Sequence, residues 1–503
     1  AKYKNSLGAV CVTTGCGGTN AITGLLDAWQ DSVPVIFVSG NVNRPHMAPE
    51  GVRNLGVQEA NIIDIVKPIT KYATVVEDPE MIDEVMKDAI RIATHGRPGP
   101  VWIDIPMDVQ GVECFSIEDA VKRAKRPLIL AGNGINCAQA REEFKFFVDQ
   151  TNIPVVTSYN GVDLISSDDR NYVGRVGVKG TRAGNFAMQN CDLLLVIGCR
   201  LPVPVTGYNY KTFAREAEVI VVDIDKDEHS KDTVKIDRFI NRDAKNFLDL
   251  YWFDRSKSDW NYLCEEWKEK WPVCPTKNPS EKVDLYYFMQ CLNTLKRDDD
   301  VVISDAGSAF YVCSQATTIK NQQRYITSSS QAEMGFTIPA CIGAAFAKDG
   351  DVIGVTGDGS FMMNMQELQT IVHYNLPVKL FVWNNEGYLS IRTTQKKFFE
   401  GREIGTDASS GVSIPDIDKI SESFGITYVR ATADNIERSV SYTLDQKGPV
   451  ICEVFCEKWQ EVVPTMQGRK NADGTISAPP LEDMYPFLPR EEFYDNMIIK
   501  PLD

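Results

Sequence analysis

The sequence predicts an α/β protein built from three doubly wound parallel-sheet domains. Three observations predict it. Short, continuously apolar runs recur along the whole chain, as strands covered on both faces require. Gly-rich turns and amphipathic helical stretches separate them. The chain has 503 residues, more than one core supports, so roughly three domains are expected.

The first unit, 1–112, opens on an apolar strand at 7–12. Gly15-Cys16-Gly17-Gly18 turns the chain through Thr19-Asn20 into a helix with Ile22, Leu25, Leu26 and Trp29 on one face. A strand at 34–38 follows and ends in Ser39-Gly40. Strand, turn, helix and strand make a βαβ unit. A helix at 81–94 precedes a strand at 101–105, and the unit ends near Gly111. Ala1-Lys2-Tyr3-Lys4 leads straight into the first strand without an initiator Met, so the chain reads as starting within a domain.

A basic linker, Lys122 to Arg126 with Pro127, opens the second unit, 122–250. A strand at 127–130 runs into Gly132-Asn133-Gly134 and a helix at 139–150. Strands follow at 154–156, 193–197 and 219–222, the last ending in Asp223-Ile224-Asp225. A Trp- and Lys-rich helical stretch at 252–271 leads through Pro272, Pro275 and Pro279 to the third unit, 280–463. Its strands lie at 301–304, 352–356, 378–383 and 450–454. The polar, Pro-rich tail, 464–503, is expected to wrap over the surface.

Composition narrows the function. A net charge of -16 argues against a nucleic-acid surface, which needs clustered Lys and Arg. No apolar run reaches membrane-spanning length. The 13 cysteines form no CxxC pair, and the four histidines stand apart from them. That pattern predicts reduced cysteines, a cytoplasmic location and no zinc site. No strand carries G-x-G-x-x-G into a helix with an acidic residue at the expected distance, which disfavours a nicotinamide dehydrogenase.

One pattern carries chemistry. The strand at 352–356 ends in Gly357-Asp358-Gly359-Ser360, and a helix follows with Met365, Leu368, Ile371 and Val372 on its buried face. The strand at 378–383 ends in Asn384-Asn385-Glu386-Gly387. Neighbouring parallel strands then deliver Asp358 and Asn385 to one carboxyl edge, where such folds bind ligands. A carboxylate, an amide oxygen and the Gly387 carbonyl form a sparse oxygen set that suits Mg²⁺, with phosphates and water completing its shell. Glycines admit phosphates close to the backbone, and the helix after Ser360 is expected to point its positive end at them. Asp-Gly alone is most often a turn. GDG, then 24 residues, then NN, with strand, helix and strand between, is far more specific.

This pattern resembles the thiamine diphosphate-dependent enzymes, and over nearly the whole chain it resembles acetolactate synthases most. Thr13-Thr14-Gly15-Cys16-Gly17-Gly18-Thr19-Asn20 is similar to the family's glycine turn in the pyrimidine-binding domain. Gln58-Glu59-Ala60-Asn61 and Gly96-Arg97-Pro98-Gly99-Pro100-Val101 also match. Met334-Gly335-Phe336 with Ile338-Pro339-Ala340 resembles the segment that bends the cofactor. Gly177-Val178-Lys179-Gly180-Thr181 and Val196-Ile197-Gly198-Cys199-Arg200 resemble segments that hold FAD, although related enzymes keep this domain without flavin.

The resemblance implies roles. Asp358, Asn385 and the Gly387 carbonyl would coordinate Mg²⁺. Gly307, Ser308, Gly359 and Ser360 would hold the diphosphate, with Gly357 and Leu389 also against the cofactor. Met334 would wedge between the cofactor rings, and the Ala332 carbonyl would receive the 4'-amino group. Gln58 would act beside the cofactor. The reaction implied is decarboxylation of a 2-keto acid such as pyruvate, then carboligation to a second carbonyl compound. Alternatives are a plain 2-keto acid decarboxylase and a non-catalytic cofactor-binding homologue. Small-molecule substrates, a homodimer or homotetramer, and no nucleic-acid or membrane partner complete the expectation.

Departures from the family lie on the substrate side. Val57 stands where a phenylalanine is usual, Met107 replaces a lysine, Thr394 replaces a tryptophan and Cys16 replaces a proline. The glutamate that activates the cofactor in relatives aligns before Ala1, so no residue here takes its role. Arg392 has two readings, a binder of substrate carboxylate or a solvated arginine.

Overall fold

A computed structural model describes residues 1–112, 116–251, 255–320, 323–470 and 476–502. Two compact units emerge, Ala1–Arg123 and Ala124–Asp503. The first holds one parallel sheet and the second holds two.

In the first unit, β1 (Gly8–Val12), β2 (Val35–Asn41), β3 (Tyr72–Val75) and β4 (Val101–Pro106) pair in the order β1-β2-β4-β3. In the second unit, one sheet runs β10-β9-β8-β5-β6-β7. Its strands are β5 (Pro127–Ala131), β6 (Val155–Thr157), β7 (Tyr172–Arg175), β8 (Leu193–Ile197), β9 (Glu218–Asp223) and β10 (Arg238–Asn241). The other runs β12-β11-β13-β14-β16-β15. It comprises β11 (Val301–Ser304), β12 (Arg324–Thr327), β13 (Val352–Gly357), β14 (Val378–Asn384), β15 (Thr427–Ala431) and β16 (Val450–Phe455). Every pairing within these three sheets is parallel.

The apolar runs are continuous because alternate side chains feed opposite cores. On β14, Val378, Leu380 and Val382 enter one core, while Phe381 and Trp383 enter the other. β13 divides likewise, with Val352 on one side and Ile353 and Val355 on the other. Helices cover both faces, which is the doubly wound arrangement expected.

Two strand orders reverse at defined points. In the β11–β16 sheet the chain moves outward from β11 to β12, then returns to place β13 on the other side of β11. In the β5–β10 sheet the same reversal falls between β5 and β8. Such reversals open a crevice at the carboxyl ends of the strands.

Three features differ from expectation. The strands β3, β7, β10, β12 and β15 have no counterpart in the sequence reading, and each lies at a sheet edge. The helix after Ser360 is broken into Asp358–Phe361, a 3-10 turn at Met365–Glu367 and Leu368–His373. Asn364 interrupts it, and its Nδ2 donates to the Gly335 carbonyl at 2.9 Å. The Trp- and Lys-rich stretch contains one helix, Asp259–Lys270, and Trp252 lies outside the described residues.

The tail also differs. Instead of only wrapping the surface, it inserts Leu481, Met484, Phe493 and Ile499 into buried positions. Met466, Leu481 and Phe493 belong to the core beneath the β5–β10 sheet. Trp267 donates to Asn496 at 2.7 Å, and Phe493 meets Phe186 edge-on at 5.9 Å. Among the described residues, no helix is long and apolar enough to cross a membrane.

Glu482 fastens this tail. Its carboxylate is fully buried and accepts from Arg215 at 2.8 Å and Gln189 Nε2 at 2.6 Å. Removing one partner of a buried pair leaves the other charge uncompensated. Glu482→Ala should therefore destabilise the protein by about 3–5 kcal/mol. Denaturant unfolding checks this, and an unchanged midpoint would remove the pair from the account of the tail.

Candidate active site

A cavity of about 300 Å³ opens at the carboxyl edge of the β11–β16 sheet, where the strand order reverses. β13 and β14 end in step there, with Gly357 opposite Trp383. Asp358 follows the first strand, and Asn385 to Gly387 follow the second. β11 delivers Ala306, Gly307 and Ser308 from the other side of β13.

Asp358 is buried at 1% exposure. Its two oxygens accept from the amides of Gly359 at 2.7 Å and Gly387 at 2.9 Å. Burial nevertheless dominates and pushes its carboxyl up to about 6. Asn385 is buried too, and its Oδ1 has no hydrogen-bond partner. An orphaned buried acceptor is rare and calls for a ligand. Gly387 has φ +121°, and a Cβ there would lie 2.1 Å from the Thr406 carbonyl oxygen. Only glycine permits this turn.

The turn is braced from behind. Arg392 is completely buried and donates to the carbonyls of Asn385 (2.8 Å), Glu386 (2.9 Å) and Lys458 (2.8 Å). Both readings of Arg392 from sequence are thereby corrected. It does not face solvent, and backbone carbonyls hold both of its terminal nitrogens away from a substrate carboxylate.

The ten-residue helix Gly307–Ala316 starts at the cavity, and no side chain caps its first turn. Its leading amides are donors with no partner within the helix, as an anion site requires. The expected helix end after Ser360 supplies less, since Asp358–Phe361 is a single turn. Met334 is 41% exposed at the cavity wall, so it is not a core residue. Ala332, also on the wall, has φ +48°, an uncommon conformation for alanine. Backbone strain of this kind gathers at functional sites.

The structure thus brings together Gly307, Ser308, Ala332, Met334, Gly357, Asp358, Gly359, Ser360, Asn385, Gly387 and Leu389 around one cavity. Sequence reasoning missed Tyr311, Tyr388, Ser390 and Ile391 on its lining. Tyr388 adjoins Gly387 in the sequence, and Tyr311 stands three residues after Ser308 on one helix, so spacing could have found both. It also missed Asp305, buried beside the site. Asp305 accepts from Thr356 Oγ1 at 2.9 Å, and burial raises its carboxyl to about 6.

Gln58 belongs to the other compact unit, on a residue with φ +65°. Its carbonyl lies against the glycine turn, accepting from Thr14 Oγ1 at 3.1 Å. A Cβ on Gly15 would come within 2.2 Å of that oxygen. Val57 and Met107 are 90% and 60% exposed. Both line a cavity of about 420 Å³ within this unit, with Thr14, Asn41, His46 and Leu55.

Comparison with known proteins matches three successive parts of this framework. Residues 1–64 match "Thiamine pyrophosphate enzyme, N-terminal TPP binding domain". Residues 116–250 match that family's central domain, and 305–454 its C-terminal TPP binding domain. The chain belongs to the thiamine pyrophosphate enzyme family. The name is synonymous with thiamine diphosphate. The described cavity falls within the part that matches the C-terminal TPP binding domain. Among relatives, the chain is 30% identical to the acetolactate synthase isozyme 2 large subunit of Escherichia coli (strain K12), covering 94% of this chain and 88% of the relative. It is 31% identical to the acetolactate synthase large subunit of Porphyra purpurea, over 93% and 85%. It is 30% identical to acetolactate synthase 1, chloroplastic, of Zea mays, over 92% and 78%.

For this thiamine pyrophosphate enzyme, the brace yields a prediction. Arg392→Met should release the 385–387 turn and leave the buried Asn385 carbonyl short of a donor, at a cost of about 1–3 kcal/mol. Thermal unfolding should show a lower midpoint, and cofactor affinity should fall by calorimetry. Retention of both values would show that the turn holds itself.

Proposed function

We propose that this protein decarboxylates a 2-keto acid, with pyruvate the foremost candidate, and joins the remaining acyl carbon to a second carbonyl compound. CO₂ leaves, one carbon–carbon bond forms, and the new hydroxyl takes up one proton. The orphaned Oδ1 of Asn385 beside buried Asp358 carries the reading, because together they offer oxygens with no protein partner left for one of them. Among the described residues no three His, Cys, Asp or Glu side chains group as a metal site. The metal proposed is therefore one content with few protein ligands, which is Mg²⁺.

Asp358, Asn385 and the Gly387 carbonyl would hold that Mg²⁺. The uncapped amides at Gly307 and Ser308 would hold the diphosphate, with Gly357, Gly359, Ser360 and Leu389 close around it. Thiamine diphosphate, when bound, supplies the electron sink that decarboxylation needs. Met334 and Ile391 give the cavity an apolar wall. Ala332, with its strained backbone, would present its carbonyl to the amino group of the cofactor. Gln58 is assigned to the pyrimidine side, on the first unit.

Flavin is proposed for the β5–β10 sheet. A cleft of about 570 Å³ lies at its strand reversal, lined by Asn133, Gly134, Cys199, Arg200 and Asp223. That volume suits a cofactor fragment. The turn at Gly177–Thr181 offers it no free backbone amide, because those of Gly177, Val178, Lys179 and Gly180 are all bonded within the protein. Assembly as a homodimer or homotetramer is proposed from the resemblance to acetolactate synthases. The exposed Val52, Leu55, Val57 and Met107 of the first unit support it. A cytoplasmic location belongs to the same reading, and the twelve described cysteines are all free thiols.

Two experiments test these proposals. In calorimetry, Asp358→Ala should weaken Mg²⁺-dependent thiamine diphosphate binding by more than about 100-fold, beyond what a supporting residue contributes. Product analysis from pyruvate and a panel of aldehydes should then show hydroxyketones in the wild type. Free acetaldehyde alone would establish the plain decarboxylase instead, and no turnover would establish a binding homologue. Separately, light scattering with an absorbance detector should give at least twice the chain mass and a visible flavin band. A monomer without that band would overturn both the assembly and the flavin proposal.

A further inference from the structure

A second chamber, of about 620 Å³, lies in the same compact unit as the cofactor cavity. The two share Ser308, Tyr311, Leu389 and Ser390 in their walls. The chamber is therefore next to the place where the chemistry is proposed, and it is about twice as large.

Its charge is unexpected for a chain of net charge -16. Lys179 enters from the loop after β7, and Lys396 and Lys397 enter from the last turn of the helix Leu389–Phe398. None of the three ammonium groups has a carboxylate partner among the described residues. Aromatic rings stand under them instead. Lys179 Nζ lies 4.3 Å from the Tyr311 ring centre, and Lys396 Nζ lies 4.7 Å from that of Trp459. Lys179 is half-buried, and burial together with the nearby Lys397 pulls its ammonium down to about 8. The single carboxylate on the lining, Glu461, is exposed and meets the Tyr485 hydroxyl at 3.4 Å.

Three cations without carboxylate partners around one space repel one another, and half-buried Lys179 has also lost part of its water. An anion in the chamber removes that cost. The monocarboxylate of a small 2-keto acid fills neither the volume nor the charge. A phosphate ester, carrying about -1.5 to -2 at neutral pH and three strong acceptor oxygens, matches both.

We infer that the chamber binds the second carbonyl substrate through a phosphate ester, with Lys179, Lys396 and Lys397 as the anion site. The inference rests on the carboligation reading above and names the class of acceptor it takes. The shared wall lets the acceptor's carbonyl end face the cofactor cavity while its phosphate remains among the lysines.

The test uses the full chain saturated with Mg²⁺ and thiamine diphosphate. Glycerol 3-phosphate, which has no carbonyl and does not react, is the binding probe, with glycerol as control. Calorimetry should detect the phosphate ester and not glycerol. Lys396→Met/Lys397→Met, at exposed positions where folding is not at stake, should weaken it by at least about tenfold, the value of one charge-assisted contact. Lys179→Met should do the same. In carboligation from pyruvate, glyceraldehyde 3-phosphate should exceed glyceraldehyde in kcat/KM by about 100-fold, and the double variant should bring that ratio toward one. Equal binding of glycerol and its phosphate, or affinity untouched by the lysine variants, would overturn the anion site. Phosphate-ester binding without any CO₂ release from pyruvate would uphold the site and refute the carboligation reading on which the acceptor role depends.

Discussion

The grip of Arg392 on the carbonyls of Asn385, Glu386 and Lys458 is the contact on which the site depends. A guanidinium fixed by backbone acceptors cannot swing, so the turn after β14 has one shape. That shape presents the Gly387 amide to Asp358 and leaves Asn385 Oδ1 without a partner. The buried carboxylate and the unbonded amide oxygen are both unfavourable in isolation. They persist because the sheet beneath them is stable enough to bear local cost, a common arrangement at functional sites.

The same economy recurs at the two strand reversals. Each reversal leaves a crevice that no crossing helix fills, since the helices on either side leave in opposite directions. In the β11–β16 sheet the crevice holds the proposed cofactor cavity, and in the β5–β10 sheet it holds the larger cleft with Arg200. Position in the sheet, before any side chain is considered, sets where small molecules fit. The lysine chamber is different. It lies off the helix that follows the Asn385 turn, against segments from the β5–β10 part and the tail, and so draws on sequence far apart.

The interior strands were legible because burial on both faces forces unbroken apolar runs such as 193–197 and 378–383. The edge strands were not. Tyr-Val-Gly-Arg in β7, Arg-Phe-Ile-Asn in β10 and Arg-Tyr-Ile-Thr in β12 carry charge or a small residue, as strands with no strand neighbour on one side tolerate. Their pattern imitates a loop. At the site, Asp358 and Asn385 could be paired from sequence since register joins adjacent parallel strands. Arg392 could not be read, because its partners are carbonyls, which every residue has. Asp305 was hidden in a similar way, standing at the end of β11 without a motif of its own. The tail was misjudged because its composition is polar, while a few spaced residues, Leu481, Met484 and Phe493, do the anchoring.

That anchoring bears on how the chain comes to be folded at all. A polypeptide emerges from the ribosome from its amino end, and its domains generally form as units in that order. Here the core beneath the β5–β10 sheet includes Met466, Leu481 and Phe493, residues made 225 to 252 positions after the last strand of that sheet. The middle of the protein therefore waits, with part of its apolar face uncovered, until these distant residues have been synthesised.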